Sequence, residues 1–378
     1  MRSFDVSALY EPPFVSRRHV ATDRVAAESL EWARGQGLVG AGPSTSRLHR
    51  AGAAELAGRA CPQAPVTRLR LLTDLFSWLF VMDDVCDDDG LGSAPATLAP
   101  TVAALLDVLD RHGGPTDAGA WPGRGGSAGA STSQGGSAGT STRQSGSAGA
   151  STGRGGSVGD GVPPGDRDTP AGALGVALAD LCRRVVDQRR PTLLLRLVSQ
   201  LREYLLALLW EATNRERRRV PGLAEYRQMR RHTGGVRPSL TLTDLAYGHP
   251  PAPARRVDPA LLALDDLAVD LVCWCNDLFS YRKERDAAAD PHNLVTVLAV
   301  QHGRDEAAAF QLAAGWFNDG LAGYLVREAA LVAHAGPAVT PYLAARRAWL
   351  RATYDWSMRA DRYAGPSGGT QPPHRFEG

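Results

Sequence analysis

Leu71-Leu72-Thr73-Asp74-Leu75-Phe76-Ser77-Trp78-Leu79-Phe80-Val81-Met82-Asp83-Asp84-Val85-Cys86-Asp87-Asp88-Asp89 is the stretch on which the reading of this 378-residue chain turns. From Leu75 to Met82 the residues are apolar almost all round, so a helix here has no solvent stripe and belongs inside a bundle. Five carboxylates then arrive within seven positions, Asp83 to Asp89. At about 100° per residue, Asp83 and Asp87 share one helix face, as do Asp84 and Asp88. Like charges so placed repel unless a cation lies between them. Hard Mg²⁺ takes carboxylate oxygens together with phosphate oxygens and waters. A solvated acidic helix end would carry the same residues, so this string alone leaves both readings open.

Working outward, apolar spacings of three and four predict helices over about 24–36, 67–85, 101–112, 171–188, 191–214, 222–232, 237–247, 258–287, 291–301, 305–334 and 339–363. Pro191, Pro221, Pro238, Pro259, Pro291 and Pro341 fall near predicted helix starts, where a missing N–H costs nothing. Alternating strand patterns are absent. The fold class is therefore all-α. Residues 121–160 hold 13 of the 41 glycines, and Ser-Ala-Gly recurs at 127, 137 and 147 with Ser-Val-Gly at 157. These decamers have no apolar face to stack, so they do not read as a solenoid. Residues 113–171 are expected to be a disordered low-complexity insert. Residues 1–112 and 172–364 then form a single helical domain, and 365–378 a flexible tail.

A second string, Leu271-Val272-Cys273-Trp274-Cys275-Asn276-Asp277-Leu278-Phe279-Ser280-Tyr281-Arg282-Lys283-Glu284, lies in the longest predicted helices. Asn276, Ser280 and Glu284 recur at i, i+4 and i+8 and form one polar line. An amide oxygen, a hydroxyl and a carboxylate so stacked can hold a further Mg²⁺ with little ligand charge. The solvent face of an amphipathic helix is the plainer alternative.

With both strings in view, the chain resembles the bacterial class I terpene synthases, whose signatures are an Asp-rich DDxxD-type motif and an NDxxSxxxE motif on facing helices. The resemblance covers nearly everything but the insert and the last dozen residues. It implies the α-helical bundle of class I terpenoid synthases and three Mg²⁺ ions. Two are held by Asp83 and Asp87 with Asp84 or Asp88, and the third by Asn276, Ser280 and Glu284. It implies that Arg230 senses the diphosphate, that Thr233 and Gly234 are the linker and effector at a helix break, and that Lys283, Arg362 and Tyr363 bind diphosphate. Phe80 and Trp356 are the leading candidates for cation-facing aromatics, followed by Phe76 and Trp349. Gly234 also suits a plain helix C-cap, and a C-cap carbonyl exposed to a cavity serves both purposes. Two positions depart from the pattern: the linker is Thr where some members carry Asp, and Asp83 to Asp89 fits DDxxD or DDxxxD.

The implied activity is Mg²⁺-dependent cyclisation of a linear isoprenyl diphosphate. Farnesyl diphosphate is the default substrate, with geranylgeranyl or geranyl diphosphate as alternatives. Of 42 basic residues Lys283 is the lone lysine. That disfavours a chain-elongating prenyl diphosphate synthase, which uses an N-terminal Gly-Gly-Lys segment, and Asp265, Asp266 and Asp270 are read as helix surface. A non-catalytic isoprenoid-binding protein would be expected to lose motif residues, and none is lost. Formal net charge is only +2, which gives no electrostatic case for nucleic acid. The five cysteines form no CxxC pair, no leader pattern opens the chain and no apolar run reaches bilayer length. A cytoplasmic protein without stable membrane insertion is expected, and a homodimer is the oligomer the resemblance suggests.

Overall fold

The computed structural model describes residues 6–40, 42–87, 89–113, 170–248, 257–287 and 291–360. These contain α1 (Thr22–Gly35), α2 (Pro43–Ala51), α3 (Ala53–Ala60), α4 (Val66–Asp87), α5 (Pro95–Gly113), α6 (Pro170–Val186), α7 (Pro191–Glu216), α8 (Leu223–Thr233), α9 (Val236–Tyr247), α10 (Pro259–Ala287), α11 (Leu294–His302), α12 (Glu306–Ala335) and α13 (Thr340–Ser357). No strand occurs among the described residues. The all-α expectation holds. The repeat segment, Asp88, Arg362, Tyr363 and the C-terminal tail lie outside the described residues. No described helix is long and apolar enough to cross a membrane.

Two helices organise the rest. α4 packs against α1, α2, α3, α6 and α9, and α10 against α8, α9, α11, α12 and α13. Trp78, without exposed surface, donates from Nε1 to the Leu174 carbonyl at 2.9 Å and ties α4 to α6. Asp74 is fully buried in the same helix, and Arg70 and Arg184 pair with it at 2.8 and 2.7 Å. A buried carboxylate held by two guanidiniums is tolerable where a lone one is not. α5 and α6, on either side of residues 114–169, pack on one another.

Sequence and structure part company in three places. α2 and α3 occupy a stretch with no predicted helix. Both are short, and Gly52, at φ +64°, ends one and starts the other, which breaks any apolar period. α5 begins at Pro95 and tolerates Pro100 within it, so it starts earlier than the predicted 101. Asp265, Asp266 and Asp270 are not an idle helix surface. Arg346 meets Asp265 at 3.0 Å, Arg231 and Arg237 meet Asp266 at 2.9 and 2.8 Å, and Arg231 meets the buried Asp270 at 2.6 Å. These acids brace α10 against α8, α9 and α13.

Candidate active site

A cavity of about 1240 Å³, counted out to its open mouth, lies among α4, α7, α8, α9, α10 and α13. Its walls divide by chemistry. Asp83 and Asp87 line one side, and Asn276, Ser280, Lys283 and Glu284 another. Arg230, Thr233 and Gly234 contribute from the end of α8, while Phe76, Phe80, Trp349 and Trp356 line the apolar part. The two polar strings therefore face a shared space, as the resemblance implies.

The aromatic wall comes from two helices in register. Phe76 and Phe80 are one turn apart on α4, and Trp349 and Trp356 two turns apart on α13. Phe80 and Trp356 stack at 5.8 Å with planes 9° apart, and Phe76 meets Trp349 edge-on at 5.5 Å and 74°. Each indole N–H is engaged elsewhere: Trp356 donates to the Ala51 carbonyl at 3.0 Å, and Trp349 to Thr243 Oγ1 at 2.8 Å. The polar N–H edges of both indoles are thus engaged by the protein rather than offered to the cavity. Aromatic faces stabilise a cation without supplying an atom that bonds to it.

On the opposite side, Asp277 is the hub. Only 1 % exposed, it accepts from Arg230 Nη2 at 2.7 Å, Arg230 Nε at 3.0 Å, the Leu294 N–H at 2.8 Å and the Tyr226 hydroxyl. Burial pushes its carboxyl up from the ordinary range, against the opposing pull of the Arg230 guanidinium, the Tyr226 hydroxyl and the Leu294 N–H. Arg230 Nη2 also donates to Asn276 Oδ1 at 2.9 Å, so the arginine is aimed at the metal-motif asparagine. Asn293 caps α11, donating to the Asp277 carbonyl at 2.7 Å and to Glu284 Oε2 at 2.8 Å. Asp277, Tyr226 and Asn293 thus position Arg230, Asn276 and Glu284. The sequence reading missed all three, although Asp277 stands inside the quoted string.

The α8–α9 break follows from two glycines. A Cβ on Gly234 would lie 2.6 Å from Cys273 Sγ and 3.1 Å from the Arg230 carbonyl, and Gly235 has φ +64° with Leu79 against it. Burial pushes the Cys273 thiol up to about 12, so it stays protonated and contacts the Arg230 carbonyl at 3.6 Å. Thr233 Oγ1 is buried there with no hydrogen-bond partner. Gly234→Ala should therefore cost about 1–3 kcal/mol of stability, read by urea denaturation, because a sulfur and a helix end must move to admit one methyl. An unchanged midpoint would contradict that fit.

Within the Asp-rich end, the structure separates neighbours that the sequence groups together. Asp83 and Asp87 line the cavity, but Asp84, 7 % exposed, does not and lies 3.9 Å from Arg47. The structure therefore does not bring Asp84 to the cavity with Asp83 and Asp87. One residue on a helix is about 100° of rotation, enough to turn a side chain off the cavity wall. Arg47 also forks onto Asp89 at 3.0 and 3.2 Å. Arg215, from α7, reaches Asp87 at 2.7 Å, and Glu211 lines the wall beside it. Neither Arg215 nor Glu211 figures in the sequence reading, since nothing local in α7 marks it as facing α4.

The two strings offer a cation carboxylate, amide and hydroxyl oxygens, set on two walls of a cavity that also carries arginine and lysine. That set suits a hard divalent ion shared with phosphate oxygens.

The family model described as terpene synthase family 2, C-terminal metal binding, matches residues 159–322. The chain is 26% identical to a 4-epi-cubebol synthase ((2E,6E)-farnesyl diphosphate cyclizing) from Streptosporangium roseum, over 93% of this chain and 90% of that one. It is 28% identical to a (+)-T-muurolol synthase ((2E,6E)-farnesyl diphosphate cyclizing) from Roseiflexus castenholzii, over 93% and 92%. Among solved structures, wild-type cucumene synthase superposes with a TM-score of 0.67 at 22% identity, covering 92% of this chain and 99% of its own. The family match falls on the segment that carries the Arg230 and Asn276–Glu284 wall, and both relatives align along nearly the whole chain. Residues 159–322 thus match a terpene synthase metal-binding domain, and the chain is similar along nearly its whole length to bacterial terpene synthases.

Proposed function

We propose that this enzyme ionises and cyclises farnesyl diphosphate to a sesquiterpene, releasing diphosphate in a Mg²⁺-dependent reaction. The observation that carries the reading is the division of one cavity into an oxygen-and-arginine end and an aromatic end. The names of the two relatives, both farnesyl diphosphate cyclizing, support the chain length. Residues 113–171 are proposed as an insert within one catalytic domain.

Asp83 and Asp87 on α4, and Asn276, Ser280 and Glu284 on α10, would hold Mg²⁺, three ions in all. The bound ions supply charge neutralisation of the leaving diphosphate. The protein's own part begins with Arg230, which Asp277 keeps charged and aimed across the cavity. Its Nη1, which makes neither the Asp277 nor the Asn276 contacts, is left to donate to diphosphate oxygens as a charge-assisted donor. Lys283 adds a point charge from the cavity wall, with Arg362 and Tyr363 assigned to the same task. Gly234 ends α8 at the cavity wall, where the broken helix would offer backbone dipoles to the substrate. Phe76, Phe80, Trp349 and Trp356 then keep water from the cation and offer it their faces. Closure over the substrate would complete the exclusion of water.

Incubation with geranyl, farnesyl and geranylgeranyl diphosphate in turn, with products read by gas chromatography–mass spectrometry, tests the substrate. The C15 diphosphate should give the highest kcat/KM and a C15 cyclic product. A C20 product formed at higher efficiency would overturn the farnesyl assignment while leaving the chemistry intact.

A further inference from the structure

Arg215 occupies an unusual place for a cation beside a proposed metal site. It rises from the last turn of α7, lines the cavity and is 18 % exposed. Its Nη2 donates to Asp87 Oδ1 at 2.7 Å and lies 3.5 Å from Glu211 Oε2, while Nη1 lies 3.5 Å from the Gly92 carbonyl. The contact to the proposed metal ligand is the short one, and those to Glu211 and Gly92 are long. The Asp87 pair is also the one most open to solvent, its carboxylate being 37 % exposed. A divalent ion on Asp87 would meet a guanidinium within hydrogen-bond distance of its Oδ1. At that range the two positive charges repel and compete for the carboxylate.

From this geometry we propose that Arg215 is an exchangeable counter-ion. It neutralises Asp87 while the site is empty, yields that carboxylate to Mg²⁺, and then donates to the incoming diphosphate. Resting on the function proposed above, the inference adds a diphosphate-binding arginine on α7 to Arg230 and Arg362. The contacts to Glu211 and Gly92 keep the released guanidinium at the cavity wall. Mg²⁺ alone must therefore displace Arg215 with nothing offered in return. Mg²⁺ arriving with diphosphate gives the arginine a new anionic partner, so the two bind cooperatively.

The test is isothermal titration of the full chain with Mg²⁺ alone, and with inorganic diphosphate in excess Mg²⁺, comparing wild type, Arg215→Gln and Arg215→Lys. Arg215→Gln should bind Mg²⁺ alone about three- to tenfold more tightly, because a competing positive charge has gone. It should bind diphosphate about tenfold more weakly, having lost a charge-assisted donor. Arg215→Lys keeps the charge and should fall between wild type and Gln on both measures. These opposite signs separate the proposal from a structural role, in which both affinities would fall together; that result would overturn it, as would an unchanged Mg²⁺ affinity. If wild-type protein bound no diphosphate even with Mg²⁺, the functional reading itself would fail and this inference with it.

Discussion

Asp277→Ala should lower folding stability by about 3–5 kcal/mol and reduce turnover by at least a hundredfold. Asp277 is buried and holds Arg230, the Tyr226 hydroxyl and the Leu294 N–H at the start of α11. Alanine strands all three. The dominant cost is the guanidinium: Arg230 is half-buried, its desolvation disfavours the charge, and Asp277 more than offsets this, raising its affinity for a proton well above the ordinary arginine value. An unpaired buried charge costs more than the pair gained by forming. Asp277→Asn separates the two effects. It keeps acceptors for Tyr226 and Leu294 but loses the charge, so it should recover part of the stability and little of the turnover. Urea denaturation and steady-state kinetics read both. If Asp277→Ala melted like wild type, the hub assignment would be wrong.

The second large effect is expected at Asn276. Asn276→Ala should cut turnover about a thousandfold, in line with losing one preorganised polar group at a developing charge. It should cost little stability, because Arg230 retains both contacts to Asp277 when the amide oxygen is removed. The same profile is expected of Asp83→Ala, from the opposite wall. Comparing kcat with the Mg²⁺ concentration needed for half-maximal rate separates a ligand from a packing residue. A ligand variant should demand more Mg²⁺. Loss of activity with an unchanged Mg²⁺ requirement would point away from metal binding.

Much of this was open to a reading of the chain, for a definite reason. α4 and α10 each combine an apolar run with polar residues at a helical period, so identity and facing direction are encoded locally. The same period put Phe76 and Phe80 on the face of Asp83, and all three line the cavity. What escaped depends on distant residues. Arg215 approaches Asp87 from 128 residues away, and Arg47 reaches Asp89 across 42. Nothing in α7 or α2 alone selects those pairings. Asn293 lies in a turn whose cap and two further donations appear only once α10 and α11 are packed. Asp84 is the instructive case, because its sequence neighbours suggested a ligand while about 100° of helix rotation carried it to the Arg47 side. Asp265, Asp266 and Asp270 erred the opposite way, reading as solvent-facing acids and serving as braces to three helices.

Diphosphate release from farnesyl diphosphate, followed with and without Mg²⁺ and with isopentenyl diphosphate also present, addresses the chemistry of the cavity most directly. The division of its walls predicts Mg²⁺-dependent release of one diphosphate per substrate consumed, with a cyclic C15 product in the organic phase. A longer linear diphosphate, or substrate left intact in the presence of Mg²⁺, would contradict it.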